Sequence, residues 1–154
     1  MPATKTRISP LAVRRSLWIN ATPERIWKEF ESLERMQAWY GTGHSLAAYE
    51  PKLGGYVETR GGNEGHGEDP LRFGGRIIVF DPPNELTYES DWFGHGWKEP
   101  SLITFRLTAF QGGTVVELFH HRFENCGEGP ALLNGFEGGW DTHHLEALRG
   151  LVEA

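Results

Sequence analysis

The hydrophobic pattern of this chain switches between the period of 2 expected of strands and the period of 3.6 expected of helices. Residues 11–19 alternate, with Val13, Leu17 and Ile19 on one side and Arg14, Ser16 and Trp18 on the other, as a half-buried strand does. Thr22-Pro23-Glu24 then opens a helix. The threonine caps it, the proline's missing N–H costs nothing at the first position, and the glutamate suits the positive helix end. Ile26, Phe30 and Leu33 recur at helical spacing, and Ser32 caps a second short helix that runs to Trp39. Gly41 and Gly43 stop the helical region.

Six strands are predicted next, over 46–49, 55–60, 71–80, 85–92, 101–110 and 114–122, each bounded by turn chemistry. Connections without helices make the sheet antiparallel. Ile103, Phe105 and Leu107 form one row, Leu86, Tyr88 and Trp92 another, and Val116, Leu118 and His120 a third, all directed inward. Glu117, Phe119 and His121 take the other, more polar side. Residues 77–80 are apolar on both parities, so the register of that strand stays open, with a bulge as one solution. The helical period returns at the end. Pro130 suits the first turn of a helix reaching about residue 152, a span of about 35 Å. Trp140, His144, Leu148 and Leu151 share its inward stripe, from which His143 projects away. Gly135, Gly138 and Gly139 predict either an irregular first turn or a backbone that passes close to something. The fold class is therefore α+β: a curved antiparallel sheet around a long carboxy-terminal helix, with one or two short helices after the first strand. A sheet wrapped around one helix leaves an internal cavity, which points to holding a small apolar molecule.

Composition narrows the function. A length of 154 residues fits a single domain, 1–154, with residues 1–9 read as a flexible tail. The lone Cys126 excludes an intramolecular disulfide and a multi-thiolate metal site, which places the chain in the cytoplasm. No secretory leader or membrane span is read from the sequence, so no membrane partner is expected. A formal charge of −6 with interspersed signs provides no basic stripe for nucleic acid.

Ala21-Thr22-Pro23-Glu24-Arg25-Ile26-Trp27, Trp39-Tyr40-Gly41, Pro51-Lys52-Leu53-Gly54-Gly55, residues 75–83, 113–118 and 120–123, and Gly139-Trp140 with Leu145 and Leu148 resemble the activator of heat-shock-protein-ninety ATPase homologue family. That family belongs to the START-related superfamily, which includes the birch-pollen allergen. The resemblance implies a helix-grip fold around a hydrophobic cavity, and no catalytic signature. The segments 61–70 and 123–129 are longer and richer in glycine than the family pattern. Having almost no apolar anchors, they are expected to be mobile and to gate a cavity mouth.

The candidate ligand-binding residues are Trp39, Tyr40, Tyr88, Trp92, Phe105, His120, Trp140 and His144. His120, Tyr88 and His144 supply the polar contacts, and Trp39, Tyr40 and Trp92 line the mouth. For His120 and His144 a plain core role, hydrogen-bonded to backbone or a buried tyrosine, stands beside the ligand-facing one. No catalytic residue, metal or cofactor is assigned, because adjacent histidines point apart and no His-x-His pair exists on a strand. Cys126 reads as an incidental thiol. Three functions follow: a binding protein for a small apolar or aromatic molecule; a cyclase- or hydrolase-like enzyme with His120 or His144 as general base; or a co-chaperone-like module that binds a protein partner. A homodimer is left open.

Overall fold

The structure is a computed structural model that describes residues 6–40, 45–60, 72–92, 98–126 and 143–154. Its strands are β1 (Ala12–Ile19), β2 (Ser45–Tyr49), β3 (Tyr56–Arg60), β4 (Arg72–Asp81), β5 (Glu85–Trp92), β6 (Ser101–Phe110) and β7 (Gly113–His121). They form one curled antiparallel sheet in the order β1-β7-β6-β5-β4-β3-β2. Helices α1 (Pro23–Trp27) and α2 (Leu33–Tyr40) follow β1, with a 3-10 turn between them, and α3 (His143–Glu153) closes the chain. This is the helix-grip arrangement.

Local chemistry explains the boundaries. The Thr22 hydroxyl accepts the Arg25 N–H at 3.1 Å with Pro23 at the first helical position, and the Ser32 hydroxyl accepts the Arg35 N–H at 3.1 Å. Each cap contributes about 1 kcal/mol. Between β6 and β7, Gln111 and Gly112 have φ of 49° and 78° in a two-residue loop. Two positive φ values match the hairpin turn whose twist fits its strands.

One expectation of spacing is corrected. Leu33 is 38% exposed, and Met36, one helical turn later, takes the buried position.

The open register of β4 is settled by a bulge. Ile77 pairs with Tyr88 but Val79 pairs with Thr87, so Ile78 is the extra residue. The shift turns Ile77 and Phe80 to the same side although their numbers differ in parity. Phe80 thereby meets Trp27, with ring centroids 5.8 Å apart.

The core lies on the concave side. Phe30, Trp39 and Phe105 are fully buried, and Phe30 packs on Trp27, Trp39 and Phe105 with centroids 5.0 to 5.5 Å apart. Burying each such ring contributes about 2–3 kcal/mol. Trp39 and Tyr40, expected at a mouth, are buried in this core at the last turn of α2. Among the described residues no helix is long and apolar enough to cross a membrane.

Candidate functional site

The alternation of β5, β6 and β7 fixes which side chains reach the concave face. Tyr88 stands opposite Ile103, and Ile103 opposite His120, so all three share that face. Phe105 is two residues further along β6, and α2 brings Tyr40 over the same strands. The Tyr40 and Tyr88 hydroxyls meet at 2.7 Å, and Tyr40 also lies 3.3 Å from the Thr59 hydroxyl. The His144 ring of α3 is 6.1 Å from Tyr40, and Phe105 is 6.4 Å from Tyr40. The structure thus gathers Trp39, Tyr40, Tyr88, Phe105 and His144 around one group of hydroxyls.

Burial shapes that group. It pushes the Tyr40 and Tyr88 hydroxyls above the usual phenol range, so both stay protonated. Three hydroxyls hold three protons for two links among themselves. One proton of the trio is therefore left to donate beyond it.

His120 lies further along the face. Its Nε2 is 2.8 Å from the Ser101 hydroxyl, and that hydroxyl donates to the Ser90 carbonyl at 2.7 Å. A serine has one proton, so His120 Nε2 must carry hydrogen and donate to Ser101. The Phe123 ring sits 4.8 Å away. Burial first, and the neighbouring His121 second, lower the His120 pKa to about 3. Near neutral pH the ring is an uncharged donor toward Ser101. Ser101, whose proton is directed to a carbonyl, is not arranged as a nucleophile.

The remaining candidates are reached only in part. Trp140 lies outside the described residues, and of Trp92 the described part is its backbone, which pairs with Phe73. Residues 61–70 and 127–129, expected to gate, and the helix start predicted at Pro130 also lie outside them. Within 123–126 the expectation is corrected: Phe123 and Cys126 are buried and anchor a 3-10 turn (Phe123–Asn125). Burial pushes the Cys126 thiol up to about 11, so it is not a reactive thiolate. Among the described residues no group of three or more His, Cys, Asp or Glu side chains is placed to hold a metal.

Sequence reasoning missed Thr59, Ser101 and Phe123. For two of them the signal was available in the alternation, since Thr59 follows Val57 and Ser101 precedes Ile103 by two residues. Arg72 and Arg76 point to the outer face. There Arg72 and Arg60 bind Glu58 at 3.0 and 2.8 Å and hold its carboxyl down to about 2.

The outer face is covered as well. Residues 6–11, of which 6–9 belong to the stretch read as a flexible tail, cross β5, β6 and β7. Thr6 donates to the Glu85 carboxylate through N–H at 3.0 Å and hydroxyl at 2.7 Å, and its carbonyl accepts from Arg106. Ser9 accepts the Arg122 N–H at 2.6 Å. Glu85 and Arg106 pair at 2.7 Å, which holds the carboxyl below its ordinary range although burial opposes this.

The comparisons agree with this geometry. The family described as "Activator of Hsp90 ATPase homolog 1-like protein" matches residues 20–153, and the chain belongs to that family. No curated protein matches the chain. Protein CV1439 from Chromobacterium violaceum has the same fold, with a TM-score of 0.71, 20% identity, and 95% of this chain covered against 99% of that one. The Aha1 dimer from Colwellia psychrerythraea gives 0.65 at 17% identity, covering 92% and 96%. DynU16, described as a putative protein in the dynemicin biosynthetic locus, gives 0.67 at 19% identity, with 95% of this chain and 48% of that chain covered.

Proposed function

We propose that this protein is a cytoplasmic binding protein that holds a small, largely apolar, aromatic molecule between the concave face of the sheet and α3. The observation that carries the reading is the hydroxyl group of Tyr40, Tyr88 and Thr59, set among Trp39, Phe105 and His144. A few fixed polar groups on an apolar wall are the usual make-up of a small-molecule site. Among the described residues the inward rows of the sheet carry no carboxylate, and His120 is uncharged near neutral pH. The ligand is therefore not a cation, and an oxygen on it meets the tyrosine hydroxyls; Arg15, opposite Leu118, stands on the same face toward the β1 edge. The place of DynU16 in a biosynthetic locus supports a small-molecule role. A chaperone partner, which the family description suggests, would use the outer surface and leave these buried hydroxyls without a part in binding. An enzyme with His120 as general base is less well supported, because its Nε2 donates to Ser101.

The test is calorimetric titration with 2-naphthol, a neutral two-ring phenol, against the native chain and Tyr88→Phe. Loss of one hydroxyl contact weakens binding by about 1 kcal/mol, or about fivefold. Binding that Tyr88→Phe leaves unchanged, or no binding at millimolar 2-naphthol, would overturn the reading.

A further inference from the structure

We propose that residues 6–11 are a proton-released latch: a strap that lies across the outer face of the sheet at neutral pH and opens when His121 takes up a proton. The geometry makes His121 the hinge of this device. Its ring is fully buried on the outer face, opposite Leu102 of β6 and Ala12 of β1. The Ser9 N–H donates to its Nδ1 at 3.4 Å, so Nδ1 must keep its lone pair. Its Nε2 then carries the hydrogen and donates to the Thr104 hydroxyl at 3.0 Å.

From there the donors run one way. Thr104, which accepts from His121, directs its own proton to the Thr87 hydroxyl 2.9 Å away, and Thr87, also 2.9 Å from the Thr6 hydroxyl, donates to Glu85 at 3.2 Å. Glu85 is the acceptor at the end of this line. It is also the carboxylate that holds Thr6, the other end of the strap. The strap is thus tied at both ends to one directional chain of hydrogen bonds.

Protonation breaks that direction. An imidazolium presents N–H at both nitrogens, and Nδ1–H would face the Ser9 N–H, donor against donor. The surroundings also oppose a second cation. Arg14 of β1, Arg106 of β6 and Arg122 beyond β7 all act to keep the ring neutral, while Glu85 of β5 acts the other way. On its own strand His120 is uncharged near neutral pH and Glu117 is separated from it by Phe119. Glu124 accepts the Leu11 N–H at 3.4 Å, and Arg7 of the strap is exposed.

Burial and these arginines lower the His121 pKa to about 4 with the strap in place. With the strap off, the ring meets water and returns toward about 6.5. Between those values a proton favours the open state. Opening also removes the Ser9 hydroxyl from the Arg122 N–H, where Arg122 holds a φ of 66°. A non-glycine residue there gains from being released. What opening uncovers is Leu102, Phe119, Thr87 and Thr104, all buried in the closed state.

Amide hydrogen exchange followed by NMR on the full chain tests this without any ligand. Exchange at Ser9 and Arg122, normalised to the intrinsic rate at each pH, gives the opening equilibrium. With pKa values of about 4 closed and about 6.5 open, opening at pH 5 should exceed that at pH 7.5 by about 30-fold. His121→Gln keeps an acceptor toward Ser9 and a donor toward Thr104 but does not titrate, so its ratio should fall to below about threefold. Equal opening at both pH values in the native chain, or a 30-fold rise that survives in His121→Gln, would overturn the proposal. If His121→Gln does not fold, the ring itself decides. Its NMR titration should move up from about 4 toward the ordinary value of about 6.5 in the double variant Thr6→Val, Ser9→Ala. A ring pKa unmoved by loss of the strap contacts would overturn it equally.

Discussion

His120 and His121 are neighbours on one strand, both buried and both uncharged near neutral pH, yet they are kept neutral by different means. His120 faces the concave side, where burial acts first and the ring's partners are Ser101 and Phe123. His121 faces the outer side, where burial is joined by Arg106, Arg122 and Arg14 and the ring is covered by the strap. Around Tyr40, Tyr88 and Phe105 the concave face is an apolar wall with a few neutral polar groups, with Arg15, opposite Leu118, toward its β1 edge. The outer face is a hydrogen-bonded, charge-bearing layer sealed by the chain's own first residues.

The contrast can be broken most severely on the concave side. Phe105→Ala removes a fully buried ring that touches Phe30, Trp39 and Tyr40. It should cost about 3–5 kcal/mol in a urea titration. A loss below about 1 kcal/mol would show that the wall is not packed as described.

On the outer side the largest effect should come from charge. Glu85→Ala leaves the Arg106 guanidinium, 16% exposed, beside an empty place and also releases Thr6. The expected cost is about 3 kcal/mol, near the lower end for a broken buried pair because water reaches Arg106. Adding Arg106→Met should recover part of that loss, and an equal loss in the double variant would show that the stranded guanidinium carries none of the cost.

Acid should act on both faces at once. Both histidines have folded pKa values below the ordinary 6.5, so below that pH the unfolded chain binds more protons than the folded one. Their stabilisation is complete above about pH 6.5. It is lost as pH falls toward about 4 for His121 and about 3 for His120. Stability should drop by up to about 2.7 kcal/mol per pH unit between pH 5.5 and 4, half of it removed by His121→Gln. A pH-independent urea midpoint across that range would contradict the neutral state of both rings.

The smallest effect is Tyr40→Phe, which removes hydroxyl contacts to Tyr88 and Thr59 and should cost about 1 kcal/mol, read as a shift in thermal midpoint.

The two faces also differ in how far the sequence revealed them. Strict alternation in β5, β6 and β7 put Tyr88, Phe105 and His120 on the concave face in advance, because successive side chains in a strand must point apart. The bulge was foreseen as an option for β4. Its place at Ile78 was not, since Ile77, Ile78, Val79 and Phe80 are all apolar and either parity satisfies burial. The strap left no trace in the pattern. It is held by the hydroxyls and N–H groups of Thr6 and Ser9, whose partners lie 79 to 113 residues away, and such contacts have no period. Ser32 announced the start of α2, but the burial of Met36 in place of Leu33 depends on tertiary packing, which spacing alone does not carry.

The most direct measurement is an NMR titration of the isotope-labelled chain with 2-naphthol, following every assigned amide and the tyrosine and histidine rings. A concave-face site predicts saturable shifts at Tyr40, Tyr88, Phe105 and His144, with Glu85, Thr87 and His121 on the outer face left in place. Shifts confined to the outer face, or none at saturating probe, would contradict it.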